Sequence, residues 1–307
     1  MQWISISEYS IIYGFCETNS KDDTISRIYK KNLVNTGDSV FFEKEVKRLL
    51  KHVVNSFDKE SLVDKRVAIS IPVNRTRLFI KKVDNGLSED EISSILDWKI
   101  KQILPVDDNL FVQHYPLNND DSVSNGHFLS LVMAQSLRAA VVNTLTKAGY
   151  EPMMMDISLF SAYEVLQKSF PTNAYNRWGI WEMAKEEDSQ NLLIIDNGAI
   201  AYLSFSFLDN NEVVIHQNTD PEKINADFVE NLIFKNYKNA NFDKMFVYTN
   251  APNNVFVQDH IKSETQMIIN PIPVLSNQKV QLEKKYLSDK YVVSQFSAIA
   301  GLIARYR

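Results

Sequence analysis

Glycine is unusually scarce in this sequence. Only 8 of the 307 residues are glycine, and the nearest two, Gly179 and Gly198, are 19 positions apart (198 − 179 = 19). A Walker phosphate loop requires two glycines about five positions apart, and a dinucleotide-binding loop requires three within about six positions. The spacing therefore excludes both loops. A nucleotide bound to this chain would need a fold that holds phosphates without a glycine-rich loop.

The remaining composition is typical of a globular protein, with 45% hydrophobic and 23% charged residues. The net charge of −5 (33 − 38) favours solubility and argues against nucleic-acid or anionic-membrane binding. The single Cys16 cannot form an internal disulfide, which suits a reducing cytosol. We find no export signal and no apolar stretch of about 20 residues. We therefore predict an intracellular protein without a transmembrane span.

Hydrophobic periodicity predicts the same order of elements twice. In the first half, three strands precede a helix over residues 39–57 and a strand over residues 66–72. In the second half, three strands within residues 191–217 precede a helix over residues 221–237. Further strands and helices follow, and the last helix covers residues 290–306. Two facing β-β-β-α-β-α units predict the duplicated actin-like, ribonuclease H-like α/β fold.

A separate block interrupts the first unit. Over residues 76–149 the pattern predicts β-α-β-β-α, with a helix that begins at the capping box of Ser88 and ends at Pro105. We interpret this block as an inserted small α+β subdomain. The predicted domains are a first actin-like domain (1–75, 150–185 and 290–307), the inserted subdomain (76–149) and a second actin-like domain (186–289).

Two short stretches stand outside this pattern. Residues 171–190 look irregular and are predicted to be a linker or exposed loop, in which Trp178 and Trp181 either contact a partner or fold back onto the core. The methionines at positions 153–155 have adaptable side chains and either line a partner groove or form a buried strand.

Four stretches, in matching order, carry a family pattern. They are VAISIP (67–72) with LSEDEI (87–92) and WKIKQILP (98–105), then MAQ (133–135) with KAG (147–149) and Asp156, then LIIDNG (193–198), then AGLIAR (300–305). Together they resemble the PilM family of type IV pilus assembly and the related cytoplasmic part of GspL of type II secretion. Lys99 departs from the pattern, in which glutamate is usual. The resemblance covers nearly the whole chain and implies an actin-like fold with an inserted domain.

The resemblance also implies a nucleotide site between two β-hairpins, each with an aspartate and a glycine, and a glycine-rich turn for adenosine. Ser5 and Ser7 stand at the aspartate and glycine positions of the first hairpin, so the carboxylate for Mg²⁺ is lost. The second hairpin keeps Asp196 and Gly198, whereas the adenosine turn at 247–252 has no glycine. We predict a vestigial nucleotide site of Ser5, Asp196 and Gly198. A plain turn at the strand end is the alternative for Asp196 and Gly198.

These losses predict that the protein is not an enzyme and hydrolyses no ATP, because phosphoryl transfer needs metal positioning and charge neutralisation. The histidines lack the short spacing of metal ligands, and neither G-x-S-x-G nor H-E-x-x-H occurs. We predict no cofactor and no metal, with Mg²⁺-ATP as the alternative.

The family resemblance implies a scaffold that docks the cytoplasmic tail of a membrane-anchored, PilN-like protein. The groove would lie between the first domain and the inserted subdomain, near Trp98, Ile103, Leu104 and Pro105. These four residues alternatively pack the core of the subdomain. Other inner-membrane platform proteins of the pilus or secretion machine are further expected partners, and the expected location is cytoplasmic, peripheral to the inner membrane through the partner. The alternatives are a nucleotide-dependent actin-like ATPase or sugar-kinase relative, and an actin-like protein of another process such as division.

Overall fold

The computed structural model describes residues 1–18, 24–34, 38–60, 64–84, 86–104, 109–117, 126–170, 172–185, 188–208, 212–230, 242–251, 269–274, 280–287 and 289–306. Its strands are β1 (Gln2–Ile6), β2 (Ser10–Thr18), β3 (Thr24–Asn32), β4 (Arg66–Ile71), β5 (Thr76–Lys82), β6 (Leu110–Pro116), β7 (His127–Ala134), β8 (Glu151–Ile157), β9 (Arg177–Met183), β10 (Gln190–Asp196), β11 (Ala199–Phe207), β12 (Val213–Asn218), β13 (Lys244–Thr249), β14 (Ile269–Pro271) and β15 (Val280–Gln281). Its helices are α1 (Ser39–Lys59), α2 (Glu89–Ile103), α3 (Gln135–Lys147), α4 (Ser158–Ser169), α5 (Ala226–Glu230), α6 (Lys290–Ser294) and α7 (Ser297–Tyr306).

The first sheet has the strand order β15-β3-β2-β1-β4-β8. β1, β2 and β3 run antiparallel, whereas β4 is parallel to β1 and β8 is parallel to β4. One face of the sheet packs against α1 and α3, and the other face packs against α4 and α7. The helix predicted over residues 39–57 and the strand predicted over residues 66–72 are confirmed as α1 and β4. α1 begins after Asp38, whose side chain accepts hydrogen bonds from the backbone N–H groups of Val40 and Phe41.

The inserted block forms the predicted order β5, α2, β6, β7 and α3. Its three strands make an antiparallel sheet of order β5-β7-β6. The capping box is present, because the Ser88 backbone N–H donates to Glu91 Oε2 at 2.8 Å and the Ser88 hydroxyl accepts from the Glu91 N–H. α2 covers one face of this sheet through Ile100 and Leu104, which pack with Val132.

The second sheet repeats the arrangement of the first. Its order is β12-β11-β10-β9-β13-β14. β9, β10 and β11 run antiparallel, and β13 and β14 run parallel to β9. β9 is therefore the counterpart of β1, and the second unit begins one strand earlier than the sequence analysis predicted.

The linker predicted over residues 171–190 is wrong, because this stretch contains β9 at the centre of the second sheet. Trp178 and Trp181 are buried in that strand, with 2% and 1% of their surface exposed. Trp178 stacks on Tyr163 of α4, with ring centroids 5.7 Å apart. Both tryptophans therefore belong to the core, the second of the two alternatives for them. A strand covered on both faces shows no polar alternation, so its periodicity is weak.

The later helices differ from the predictions in extent. Of the helix predicted over residues 221–237, the structure describes α5 from Ala226 to Glu230, and residues 231–241 lie outside the described residues. The final helix predicted over residues 290–306 is two helices, α6 and α7, separated at residues 295 and 296.

α4 and α7 pack so closely that a glycine is required between them. A Cβ added at Gly301 of α7 would overlap the carbonyl oxygen of Ser161 in α4. The core around this pair contains residues of both sheets, including Trp3 of β1 and Phe246 of β13. The contact between α4 and α7 therefore joins the two halves of the molecule.

We predict that Gly301→Ala destabilises the fold by at least about 2 kcal/mol, because the added methyl group forces the helices apart. Helix propensity alone would make the same change stabilising by about 1 kcal/mol. Urea unfolding followed by circular dichroism measures whether the substitution lowers or raises the free energy of unfolding. Ala298→Gly in the same helix is the matched control and should cost about 1 kcal/mol. A Gly301→Ala variant as stable as the unaltered protein would contradict the close contact.

Candidate functional site

The carboxyl ends of parallel strands from both sheets meet at one cleft. β1 and β4 end there in the first sheet, and β9 and β13 end there in the second. The lining residues are Glu8, Tyr9, Pro72, Asn74, Glu182, Met183, Ala184, Ser189, Asn191 and Asn250. In α/β folds ligands bind at the carboxyl ends of the strands. This cleft is therefore the position at which the fold would hold a nucleotide.

The first side of the cleft is the tight turn between β1 and β2. The Ser7 hydroxyl accepts hydrogen bonds from the backbone N–H groups of Ser10 at 3.0 Å and Tyr9 at 3.3 Å, so the turn is closed on itself. Ser5, the predicted substitute for an aspartate, lies within β1 between Ile12 of β2 and Ser70 of β4, and 4% of it is exposed. Glu8 and Tyr9 are the side chains that this turn presents to the cleft.

The second side is the turn between β9 and β10, held by the buried side chain of Gln190. Its amide oxygen accepts from the Ala184 N–H at 3.0 Å, and its amide nitrogen donates to the Lys185 carbonyl at 2.9 Å. The Trp181 indole also donates to this amide oxygen, at 3.3 Å. A single glutamine side chain thus hydrogen-bonds to the end of β9 and to the first residues after it.

The two turns touch each other across the cleft. The Tyr9 hydroxyl donates a hydrogen bond to the Asp188 carboxylate, and the Lys185 ammonium lies 5.2 Å from the centre of the Tyr9 ring. Burial, assisted by the Asp188 hydrogen bond, raises the pKa of Tyr9 far above its usual value. The cavity that these described residues enclose has a volume of about 10 Å³. Pockets for small ligands usually have about 300–1,000 Å³, so the described side chains fill this part of the cleft.

A buried polar network lies beneath these turns. Arg75 forms a bidentate ion pair with Glu8, at 2.7 and 2.8 Å. The fully buried Glu182 accepts hydrogen bonds from Asn250 at 2.6 Å and Asn191 at 3.3 Å. Burial raises the pKa of Glu182 to about 7, and the charge of Glu8 adds to the rise. Glu182 is a cleft residue that the sequence analysis missed, because its strand was interpreted as a linker.

Asp196 and Gly198 lie at the opposite end of the second sheet. Asp196 pairs with the first residue of β9, six residues from the cleft, which corresponds to about 20 Å along a strand. Asn197 and Gly198 form a two-residue hairpin with φ values of 48° and 82°, as in a type I′ Asn-Gly turn. The structure therefore does not bring Ser5 together with Asp196 and Gly198, and the second hairpin of the cleft is the β9–β10 turn.

A much larger cavity lies between the inserted subdomain and the first sheet. This groove has a volume of about 1140 Å³ and is closed at one side by the β10–β11 hairpin. Its apolar lining comes from the inserted sheet, from the three methionines of β8, from α4 and from the hairpin: Phe111, Tyr115, Leu129, Leu131, Met133, Met153, Met154, Met155, Phe160, Tyr163, Ala199 and Ile200. The methionines thus lie in a strand, as the second alternative had it, and also line this groove, whereas a partner in the groove stays a prediction.

Both acidic and basic side chains border the groove. Arg305 of α7 pairs with Asp156 at 2.9 Å and with Glu164 at 2.6 Å, so one cation is shared by two acids. Burial raises the pKa of Asp156, and the charge of Arg305 opposes that rise. The Arg138 guanidinium lies 4.5 Å from the centre of the Phe111 ring.

The predicted partner residues of α2 do not line this groove. α2 packs on the face of the inserted sheet that carries Val132, whereas the neighbouring residues Leu131 and Met133 point into the groove. Trp98 and Ile103 are exposed on α2, with 60% and 46% of their surface accessible. Leu104 is buried in the core of the subdomain, which is the alternative given for it. Pro105 lies outside the described residues.

Among the residues that the structure describes, no group of three or more His, Cys, Asp or Glu side chains is placed to hold a metal ion. No helix in this part of the chain is both long and apolar enough to cross a membrane.

Comparison with known proteins identifies the fold. No protein-family model and no curated protein matches the sequence. A chain of a solved PilM–PilN type IV pilus biogenesis complex is 11% identical, with a TM-score of 0.65 over 99% of this chain and 97% of that chain. This likeness shows a shared fold and confirms the predicted actin-like α/β fold. The motif resemblance to PilM is thus matched by a resemblance in structure.

Two other solved structures are more distant. The cytoplasmic domain of EpsL, an inner membrane component of the type II secretion system of Vibrio cholerae, is 7% identical, with a TM-score of 0.43 over 96% of this chain and 93% of that chain. MreB5 of Spiroplasma citri bound to ADP is 10% identical, with a TM-score of 0.39 over 98% of this chain and 95% of that chain. Both TM-scores are too low to support a conclusion about this chain.

The raised pKa of Glu182 predicts how stability depends on pH. The folded protein holds this proton up to about pH 7, whereas an unfolded glutamate loses it near pH 4.3. The contribution of Glu182 to stability is therefore greatest at low pH, and its ionisation costs up to about 4 kcal/mol as the pH rises from about 4 to 7. We expect Glu182→Gln to remove this loss, so the variant gains on the unaltered protein between about pH 4 and 7.

Urea unfolding at each pH unit measures the difference. The exposed Glu60→Gln is the matched control and should follow the unaltered protein at every pH. Equal slopes of stability against pH for the Glu182 variant and the unaltered protein would show that Glu182 is already ionised at pH 5.

Proposed function

We propose that this protein is an actin-like scaffold of a type IV pilus or type II secretion-like assembly that works without turning over nucleotide. Its proposed partner is the cytoplasmic tail of a membrane-anchored, PilN-like protein, with other inner-membrane platform proteins as further partners. The proposed location is the cytoplasmic face of the inner membrane, reached through that partner. The observation that carries the proposal is the groove of about 1140 Å³ between the first sheet and the inserted subdomain.

The lining of the groove suits an extended peptide. β8 is the last strand in the order of its sheet, and residues 152–157 of this strand line the groove. A terminal strand can accept an extended peptide by strand addition, in which main-chain hydrogen bonds provide affinity and side-chain pockets provide specificity. Met153, Met154 and Met155 offer flexible, polarisable surface for the apolar side chains of such a peptide.

The comparison with PilM supports the same partner class. The similar fold belongs to a chain that was solved in a complex with PilN. The motifs that resemble the PilM family extend over nearly the whole sequence, and the groove lies between the two parts where that resemblance implied docking. We extend the PilN-like partner to this chain on these two grounds.

The docking proposal predicts the effect of groove substitutions on tail binding. The probe is the N-terminal cytoplasmic tail of the PilN-like protein from the same organism, and we expect a Kd in the micromolar range by fluorescence anisotropy. Met153→Glu and Ile200→Glu should each weaken binding at least tenfold, because they bury a charge against an apolar peptide (about 1.4 kcal/mol for each factor of ten). Met153 is 51% exposed, so its substitution leaves the core intact.

Trp98→Ala is the control on the other face of the inserted sheet and should leave the affinity unchanged. If Trp98→Ala weakens binding and the groove variants do not, the tail docks on α2, as the sequence analysis placed it. If the tail does not bind the unaltered protein at all, the docking proposal fails.

The cleft supports the second part of the proposal. Catalysis of phosphoryl transfer needs space for the nucleotide and a carboxylate that positions Mg²⁺. The β1–β2 turn presents Glu8 and Tyr9, and Glu8 is engaged by Arg75. The β9–β10 turn presents Asp188, which is engaged by Tyr9. With both acids occupied and about 10 Å³ of space, the proposed scaffold has no working nucleotide site.

The absence of a working nucleotide site, the second part of the proposal, predicts that Mg²⁺-ATP does not stabilise the protein. At about 5 mM Mg²⁺-ATP the Tm should change by less than about 1 °C, because the proposed scaffold has no working site for the nucleotide. A ligand that binds and is present at 100 times its Kd would instead add about 2.7 kcal/mol to the free energy of unfolding and raise the Tm by several degrees. Differential scanning fluorimetry measures the shift, with Asp188→Ala and Asp196→Ala as companion variants. A rise of several degrees that is lost in either variant would favour the alternative, a nucleotide-dependent ATPase or sugar-kinase relative.

A further inference from the structure

A second groove lies on the opposite face of the first sheet from α4 and α7. There α1 and α3 pack side by side and share one apolar core, to which Val46 and Val141 contribute. The outward faces of the two helices enclose a cavity of about 660 Å³. We call it the lysine groove, because its walls are Lys44, Lys47 and Lys51 of α1 and Lys147 of α3.

The lysine groove carries an excess of positive charge, because four lysines and one acid, Glu43, line it. Lys44, Lys47 and Lys51 occupy positions i, i+3 and i+7, so they share one helical face over about 10 Å. Among the described residues, none of the four lysines has a carboxylate within ion-pair distance. The acid in the lining, Glu43, accepts a hydrogen bond from the Ser136 hydroxyl at 2.6 Å.

This concentration of positive charge does not follow from composition, because the whole chain has a net charge of −5. Lys47 and Lys51 stand at i and i+4, where like charges repel by about 0.2–0.5 kcal/mol, and Glu43, four residues before Lys47, offsets a repulsion of that size. An anionic partner would reverse this repulsion and turn the four lysines into ion-pair donors.

The floor of the lysine groove favours a peptide over a membrane surface. Ala139 and Ala140 lie on the floor, and such small side chains allow another backbone to approach closely. A concave site with basic walls fits a helix laid into a groove. A membrane-binding helix instead presents a continuous apolar face beside its basic residues, whereas the bulky apolar side chain in this lining is Val40, 58% exposed and one turn before Lys44.

We propose that the lysine groove docks an acidic helical segment of a partner protein. Aspartates or glutamates one and two turns apart on that segment would pair with Lys47, Lys51 and Lys147, while its backbone rests on Ala139 and Ala140. This surface is separate from the groove proposed for the tail, so the two proposals can fail independently.

The test uses the full chain and a synthetic alanine-based helical peptide with glutamates at i, i+3 and i+7. A peptide with glutamines at the same positions is its control. We expect micromolar binding of the glutamate peptide at about 50 mM salt, at least tenfold weaker binding at about 300 mM, and no measurable binding of the glutamine peptide. Lys47→Glu/Lys51→Glu should weaken binding at least tenfold.

Two further variants separate the groove from general charge. Lys101→Glu/Lys284→Glu changes the net charge by the same amount at exposed positions elsewhere and should leave binding within twofold. Ala139→Leu fills the floor without changing charge and should weaken binding at least fivefold. The tail peptide of the first groove should bind every one of these variants normally.

Several results would overturn the proposal. They are equal losses in the two double variants, equal binding of the two peptides, no binding of the glutamate peptide, and an Ala139→Leu variant that binds normally. Binding to phosphatidylglycerol vesicles, but not to the glutamate peptide, would assign the lysines to an anionic membrane surface instead.

Discussion

The close contact between α4 and α7 is the constraint on which the rest of the structure depends. Gly301 lies against the carbonyl of Ser161, and the surrounding core includes Trp3 from the first sheet and Trp178 from the second. Because the two sheets share this helical layer, the carboxyl ends of their parallel strands face the same cleft. Arg305, at the end of α7, extends the layer to the wall of the large groove through its two ion pairs.

The cleft and the two grooves are lined by side chains of different chemical character. In the cleft, the hydrogen bond between Tyr9 and Asp188 joins the turns of the two sheets. The large groove is rich in methionine and aromatic side chains, whereas the lysine groove is basic with a floor of alanines. α3 borders both grooves, since Arg138 lines the first and Ala139 lines the second. Under the two docking proposals, both partners would therefore contact α3.

Local signals in the sequence predicted most elements and the fold. The capping box at Ser88, the amphipathic pattern of α1 and the duplicated order of strands all act over short distances, and each is present in the structure. At the candidate site, a local sequence signal led to a prediction that the structure does not support. The Asp-Asn-Gly sequence ending at Gly198 resembles a phosphate hairpin, yet it satisfies the φ requirement of a tight type I′ turn. Trp98 and Ile103 are adjacent in sequence to the inserted sheet but lie on the face away from the groove.

The sequence by itself determined most of the helices and strands, the Asn-Gly turn before β11 and, through its few glycines, the exclusion of glycine-rich phosphate loops. Only the tertiary structure decided which turns face each other. β9 takes the central place in the second sheet because it pairs with β13, more than 60 residues further along the chain, and no local periodicity encodes that partner. The packing of both sheets on α4 and α7 then brings Glu182 and Asp188 of the second sheet to Glu8 and Tyr9 of the first. Hydrophobic patterning specifies which face of an element is buried, whereas strand pairing and helix packing select the neighbours that it meets.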